Sequence, residues 1–195
     1  MIKKKNIAFV GMTHLGINYL AASALKKNYV SGFDSNKKLI NDLRVNRLNH
    51  AEPQLTKILK NKKKFINFSS DFKKLNKFNL VFISQDVQTD NDNRANIKKI
   101  LGLINKVLKY IKKDSTLVIL SQLQPGFMRK IKFNKKKLFY QVETLIFGQA
   151  IRRALNPERL IIGCNHQSDS ISKEYLRYIK NFNCPIIKMN YESAE

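Results

Sequence analysis

Short apolar runs alternate with amphipathic stretches along almost the whole chain. Residues 7–11 (IAFVG) form a hydrophobic run closed by a glycine, and residues from about His14 to Lys27 then take up helical spacing. A second strand is expected at YVSGFD, ending on Asp34, and a helix at SNKKLINDLRVNRL, residues 35–48. EPQLTKILKN predicts a short helix over 52–61, KFINFSS a third strand and FNLVFISQD a fourth. The fourth is apolar almost throughout, as befits a strand covered on both faces. Residues 93–113 carry apolar side chains at three- and four-residue intervals, which predicts a long amphipathic helix. Strands follow at STLVILSQ, KLFYQVE and RLIIGC, then a helix at SISKEYLRYIKNF and a last strand at CPIIKM. Strands that alternate with helices call for an α/β fold: a doubly wound, mainly parallel sheet with helices on both faces.

Length and composition narrow this picture. A chain of 195 residues with 43% hydrophobic content can bury one substantial core. No apolar run approaches the roughly 18–20 residues of a membrane span, and the run after the basic start MIKKK enters a glycine turn without a signal-peptide cleavage site. A cytoplasmic protein without a membrane partner is therefore expected. Cys164 and Cys184 have neither redox nor metal-ligand spacing, so free thiols and no metal are expected. The formal charge of +23 would ordinarily point to a polyanion. Here the lysines lie in small scattered groups beside abundant Asn and Ile, which points to compositional bias and to no specific nucleic-acid partner. A cationic scaffold that binds polyanions without catalysis is the competing reading.

The chemistry concentrates at the carboxyl ends of the strands, where open α/β sheets place their ligands. Residues 11–16 (GMTHLG) keep the first and third glycines of the G-x-G-x-x-G dinucleotide turn, with Thr13 in place of the second. The free N–H groups of the following helix still favour an anion. Asp34 stands 23 positions after Gly11 at the end of the second strand. That is near the roughly 20 at which a carboxylate holds the ribose hydroxyls. A capping aspartate before SNKK is the alternative. An acid there would repel a 2′-phosphate, which favours NAD over NADP. Further along, SQDVQTD, SQLQPG and QVET supply hydroxyls, amides and Glu143. Glu143 reads equally as an active-site carboxylate and as a helix N-terminal acid. His14, His50 and His166 are scattered, and solvated or capping roles are expected for them.

The order of these pieces resembles the NAD-binding domain of the UDP-glucose/GDP-mannose dehydrogenases, which oxidise the 6-hydroxymethyl of a nucleotide sugar to a carboxylate. VGMTHLG stands for V-G-x-G-Y-V-G, GFD for G-x-D and EPQL for E-P-G-L, while SQDVQTD covers V-P-T-P-T-D and SQLQPG covers S-T-V-P-P-G. Residues 142–163 follow P-E-F-L-x-E-G and the pattern beyond it, and the final SAE matches R-S-A-E. The resemblance implies a Rossmann-like fold with NAD as cofactor and a nucleotide sugar as substrate. By it, Gly11, Thr13, His14, Leu15 and Gly16 hold the pyrophosphate and Asp34 the adenosine ribose. Thr89 and Ser121 line the reaction crevice, and Glu143 is the catalytic glutamate beside the cofactor. Leu145, Ile146, Phe147 and Gly148 border the nucleotide sugar. Thr13, Val87, Gln122 and Phe147 depart from the family pattern. The family's catalytic cysteine, lysine and asparagine would fall beyond Glu195. The expected division is therefore a cofactor domain over 1–189 and the start of a truncated central helix over 190–195. Such a chain is not expected to complete the oxidation by itself, and a homodimer or a C-terminal domain partner belongs to a full-length form.

Overall fold

The computed structural model describes residues 6–48, 52–87 and 97–195. Eight strands form one sheet: β1 (Asn6–Val10), β2 (Tyr29–Phe33), β3 (Ile66–Ser69), β4 (Leu80–Ile83), β5 (Thr116–Ile119), β6 (Leu138–Gln141), β7 (Leu160–Cys164) and β8 (Ile186–Asn190). Their order is β3-β2-β1-β4-β5-β6-β7-β8. The chain winds outward in one direction from β1 to β3, then returns to the centre and winds the other way from β4. The switch point therefore lies between β1 and β4, which pair in parallel from Ile7 opposite Leu80 to Val10 opposite Ile83. All pairings are parallel except β6 with β7, where Tyr140 faces Gly163 in an antiparallel register.

Alternation along each strand divides the core between two faces. On β1, Ile7 and Phe9 join one apolar cluster with Leu15, Leu20, Tyr175 and Tyr178. Ala8 and Val10 join another with Phe72, Ile100, Ile104 and Tyr191. Helix α1 (His14–Leu25) is buried from His14 to Ala24 and predominantly apolar, with His14, Asn18 and Ser23 as its buried polar residues. Helices α2 (Lys37–Arg44) and α3 (Leu55–Asn61) are short and amphipathic, and Asn36 caps α2 by accepting from the Leu39 N–H. Helix α4 (Ile97–Leu108) buries Ile100, Ile104 and Val107, a four-then-three spacing. It stops before the expected end: Tyr110 and Ile111 both donate to the Val107 carbonyl in a closing turn, and the lysines beyond offer nothing to bury. The expected start over 93–96 lies outside the described residues.

Two α-helices are missing from the sequence reading. Helix α5 (Phe127–Lys130) is a single turn, and α6 (Ala150–Leu155) buries only Ala150, Ile151 and Ala154, on either side of the adjacent Arg152 and Arg153. Neither yields a periodic signal long enough to read. Helix α7 (Lys173–Ile179) is capped by the Ser172 side chain. The last turn, α8 (Tyr191–Ala194), is seated on the sheet. Tyr191 and Ala194 are buried, and Glu195 accepts from the N–H groups of Gly126 and Met128.

Candidate functional site

The glycine turn sits at the switch point because only glycine satisfies its two corners. Gly11 has φ +95°, and a Cβ there would stand 2.8 Å from the Gln85 backbone. A Cβ at Gly16 would overlap the Gly11 carbonyl oxygen and press on Ser84, so the third glycine is required for the close approach of α1 to β1 and β4. Between them, Thr13 caps its own helix with no side-chain bond. Its hydroxyl instead donates to the Ser84 carbonyl at 3.3 Å and accepts the Asp86 N–H at 2.9 Å.

Asp34 follows the last residue of β2 and reaches back to the turn. Its Oδ2 accepts the Met12 N–H at 2.9 Å and its Oδ1 the Asn36 N–H at 2.9 Å. The carboxylate thus closes a local turn ahead of α2 and stands beside the glycine turn. Across the switch point, Asp86 Oδ2 accepts the Leu15 N–H at 3.2 Å, from the first turn of α1. Residues 11–16, Asp34 and the loop after β4 are brought together. Thr89 lies outside the described residues, as does His50.

A second group lies at the ends of β5 and β6. Glu143 accepts from Gln122 Nε2 at 2.9 Å and from the Leu145 N–H at 2.8 Å, so both carboxylate oxygens are engaged. Gln122 is one of the departures from the family pattern, and it holds this carboxylate directly. Ser121 is fully buried, and its Oγ meets no hydrogen-bond partner among the described residues. An orphaned buried hydroxyl at a strand end is what a bound polar ligand would satisfy. Leu145, Ile146, Phe147 and Gly148 form the loop between β6 and α6, with Phe147 79% exposed.

His14 departs from the solvated or capping role expected of the histidines. It is buried, and its Nε2 lies 2.7 Å from Glu52 Oε1. The same glutamate accepts the N–H groups of Gly148 at 2.8 Å and Ala150 at 3.4 Å. Burial works against its charged form, but the hydrogen bonds from His14, Gly148 and Ala150 outweigh it and hold the carboxyl below the usual carboxylate range. The Phe147 ring lies over His14 with centroids 4.2 Å apart. Glu52 therefore fastens the cofactor turn to the loop after β6. Sequence reading registered it only as a letter of a motif, since its partners are 38 and 96 positions away.

With this geometry in view, the chain can be set beside known proteins. Residues 5–180 match the model of the UDP-glucose/GDP-mannose dehydrogenase family, NAD binding domain. The chain belongs to this family. The match covers its NAD-binding domain, and the cofactor of that domain is NAD. A UDP-glucose 6-dehydrogenase of Rickettsia typhi is 30% identical over 174 residues, which span 83% of this chain and 39% of that protein. An uncharacterized protein of Methanocaldococcus jannaschii is 27% identical over 97% of this chain and 22% of its own length. A UDP-glucose dehydrogenase of Pyrobaculum islandicum has the same fold, with a TM-score of 0.85 at 19% identity, covering all of this chain and 48% of the other. The chain thus spans less than half the length of these relatives.

The residues present fit the family's cofactor. Two obligatory glycines set the turn, Asp34 stands at the strand end, and Ser121, just beyond β5, has a buried hydroxyl without a hydrogen-bond partner among the described residues. The thiols have no such fit to chemistry. Cys164 is buried, and burial pushes it up to about 11, which leaves almost no thiolate at neutral pH. Among the described residues no cluster of three or more metal-ligating side chains occurs, and no helix is long and apolar enough to cross a membrane.

Proposed function

We propose that this chain is the NAD half-site of a nucleotide-sugar dehydrogenase acting on UDP-glucose or a similar sugar nucleotide. What carries the reading is the GMTHLG turn and Asp34 meeting at the switch point of a sheet whose residues 5–180 match the family's NAD-binding domain. Gly11 and Gly16 shape the turn. Thr13, His14 and Leu15 border the pyrophosphate, and Asp34 accepts from the adenosine ribose hydroxyls. NAD, when bound, accepts the hydride that the sugar's alcohol carbon gives up.

The chain's own groups orient and bind around that event. Ser121 lines the nicotinamide side with its free hydroxyl. Glu143, fixed by Gln122 and the Leu145 N–H, stands as the crevice's carboxylate for positioning or activating water. Thr89 shares that crevice, and Leu145 to Gly148 border the sugar nucleotide. Cys164, whose buried thiol is raised to about 11, does not take the part of the catalytic cysteine that the resemblance implies. The cofactor domain extends to residue 189, and α8 opens the central helix.

The test is thermal unfolding with and without millimolar NAD for the wild type and Asp34→Ala. Stabilisation of the wild type that disappears in the variant is expected, because a ligand that binds only the folded state stabilises it. No shift with NAD, together with steeply salt-dependent binding to a polyanion, would replace this reading with that of a cationic scaffold.

A further inference from the structure

The anion seat of the proposed half-site already faces a charge of the chain's own. Leu15 is the second residue of α1, so its N–H has no acceptor within the helix and belongs to the group that receives phosphate in dinucleotide turns. In this chain it donates to Asp86 Oδ2 at 3.2 Å. Asp86 is anchored by its backbone N–H, which donates to Thr13 Oγ1 at 2.9 Å. The Thr13 hydroxyl is fixed in turn on the Ser84 carbonyl. The residue that replaces a glycine in the turn is therefore the one that ties the loop after β4, with its carboxylate, to the helix end. On the other side of the turn, the Met12 N–H is taken by Asp34 Oδ2.

We propose that Asp86 is a built-in occupant of the pyrophosphate seat, so that a dinucleotide binds here in competition with the chain's own carboxylate. The inference rests on the half-site reading above. The positive end of α1 favours one negative charge, and a second brought to the same N–H groups meets both a lost hydrogen bond and like-charge repulsion. Thr13 sets the strength of the competitor by holding it in register. Ligands are then sorted by their phosphates: adenosine engages Asp34 without meeting Asp86, whereas ADP and NAD must displace it.

Titration calorimetry with adenosine, ADP and NAD on the wild type, Asp86→Ala, Thr13→Gly and Asp34→Ala tests this. Asp86→Ala is expected to bind ADP and NAD about tenfold more tightly, with adenosine unchanged. Thr13→Gly moves in the same direction, since it frees the anchor. Asp86→Asn keeps an acceptor for the Leu15 N–H without the charge, and it is used if the alanine variant does not fold. Equal affinity for NAD in the wild type and the Asp86 variants, with Asp34→Ala weakened, would overturn the occupant and leave the half-site standing. Tighter ADP without any NAD binding would support the occupant while removing the NAD reading. Failure of every variant to bind any of the three ligands would overturn both.

Discussion

His14 and Glu52 form a buried pair, Nε2 to Oε1 at 2.7 Å, that joins the first residue of α1 to the segment before α3. A carboxylate held in its ionised form accepts, so His14 carries its hydrogen on Nε2. Because Glu52 also receives the Gly148 and Ala150 N–H groups, one carboxylate fixes the cofactor turn relative to the loop after β6. The two halves of the proposed crevice are thereby linked through a group that belongs to neither.

Glu52→Ala is expected to cost about 2–4 kcal/mol, because it leaves the His14 ring and two backbone N–H groups without their acceptor. The folded-state pKa of Glu52 is depressed, so its contribution is complete above the ordinary glutamate value of about 4.3 and fades as the pH falls through the lower, folded value. Urea unfolding at a series of pH values should show a wild-type advantage that is full near pH 7 and shrinks below about pH 4. An advantage independent of pH would mean that Glu52 acts through packing.

Gly16→Ala should be severe. The added methyl overlaps the backbone carbonyl oxygen of Gly11 and presses on the Ser84 Oγ and carbonyl oxygen, so α1 must move off the sheet. A loss of about 3 kcal/mol or more is expected, read as a lower urea midpoint. Gly102, whose Cβ would meet nothing within 4 Å, is the matched control. Alanine there should be neutral or stabilising, by up to about 1 kcal/mol, as helix propensity dictates.

The two thiols should separate by accessibility. Cys164 is fully buried and pushed up to about 11, whereas Cys184 is half-buried, its thiol raised to a lesser degree by burial. Alkylation of the native chain at pH 7–8, read by peptide mass spectrometry, should label Cys184 first and Cys164 only on unfolding. Rapid native labelling of Cys164 would contradict the packing of β7.

The sequence disclosed those features that depend on local backbone chemistry. Gly11 and Gly16 were legible because a tight turn and a close helix approach admit little else, and Asp34 because it ends a strand at a fixed distance from them. The parallel sheet followed from the alternation of strands and helices. The antiparallel pairing of β7 with β6 did not, since apolar runs carry no direction. Helix α6 escaped because six residues, two apolar pairs flanking Arg152 and Arg153, are too few to make a pattern. The pairings His14–Glu52, Gln122–Glu143 and Leu15–Asp86 were invisible for a different reason. Each joins residues 21 to 71 positions apart, and only the fold decides that they meet.

The most direct measurement is the affinity of this chain for NAD against NADP by titration calorimetry. Asp34 at the end of β2, with its carboxylate on the Met12 N–H, should admit the ribose hydroxyls and repel a 2′-phosphate. NAD is expected to bind, with NADP about tenfold weaker or more. Equal binding of the two, or no binding of NAD, would contradict the assignment of the cofactor turn.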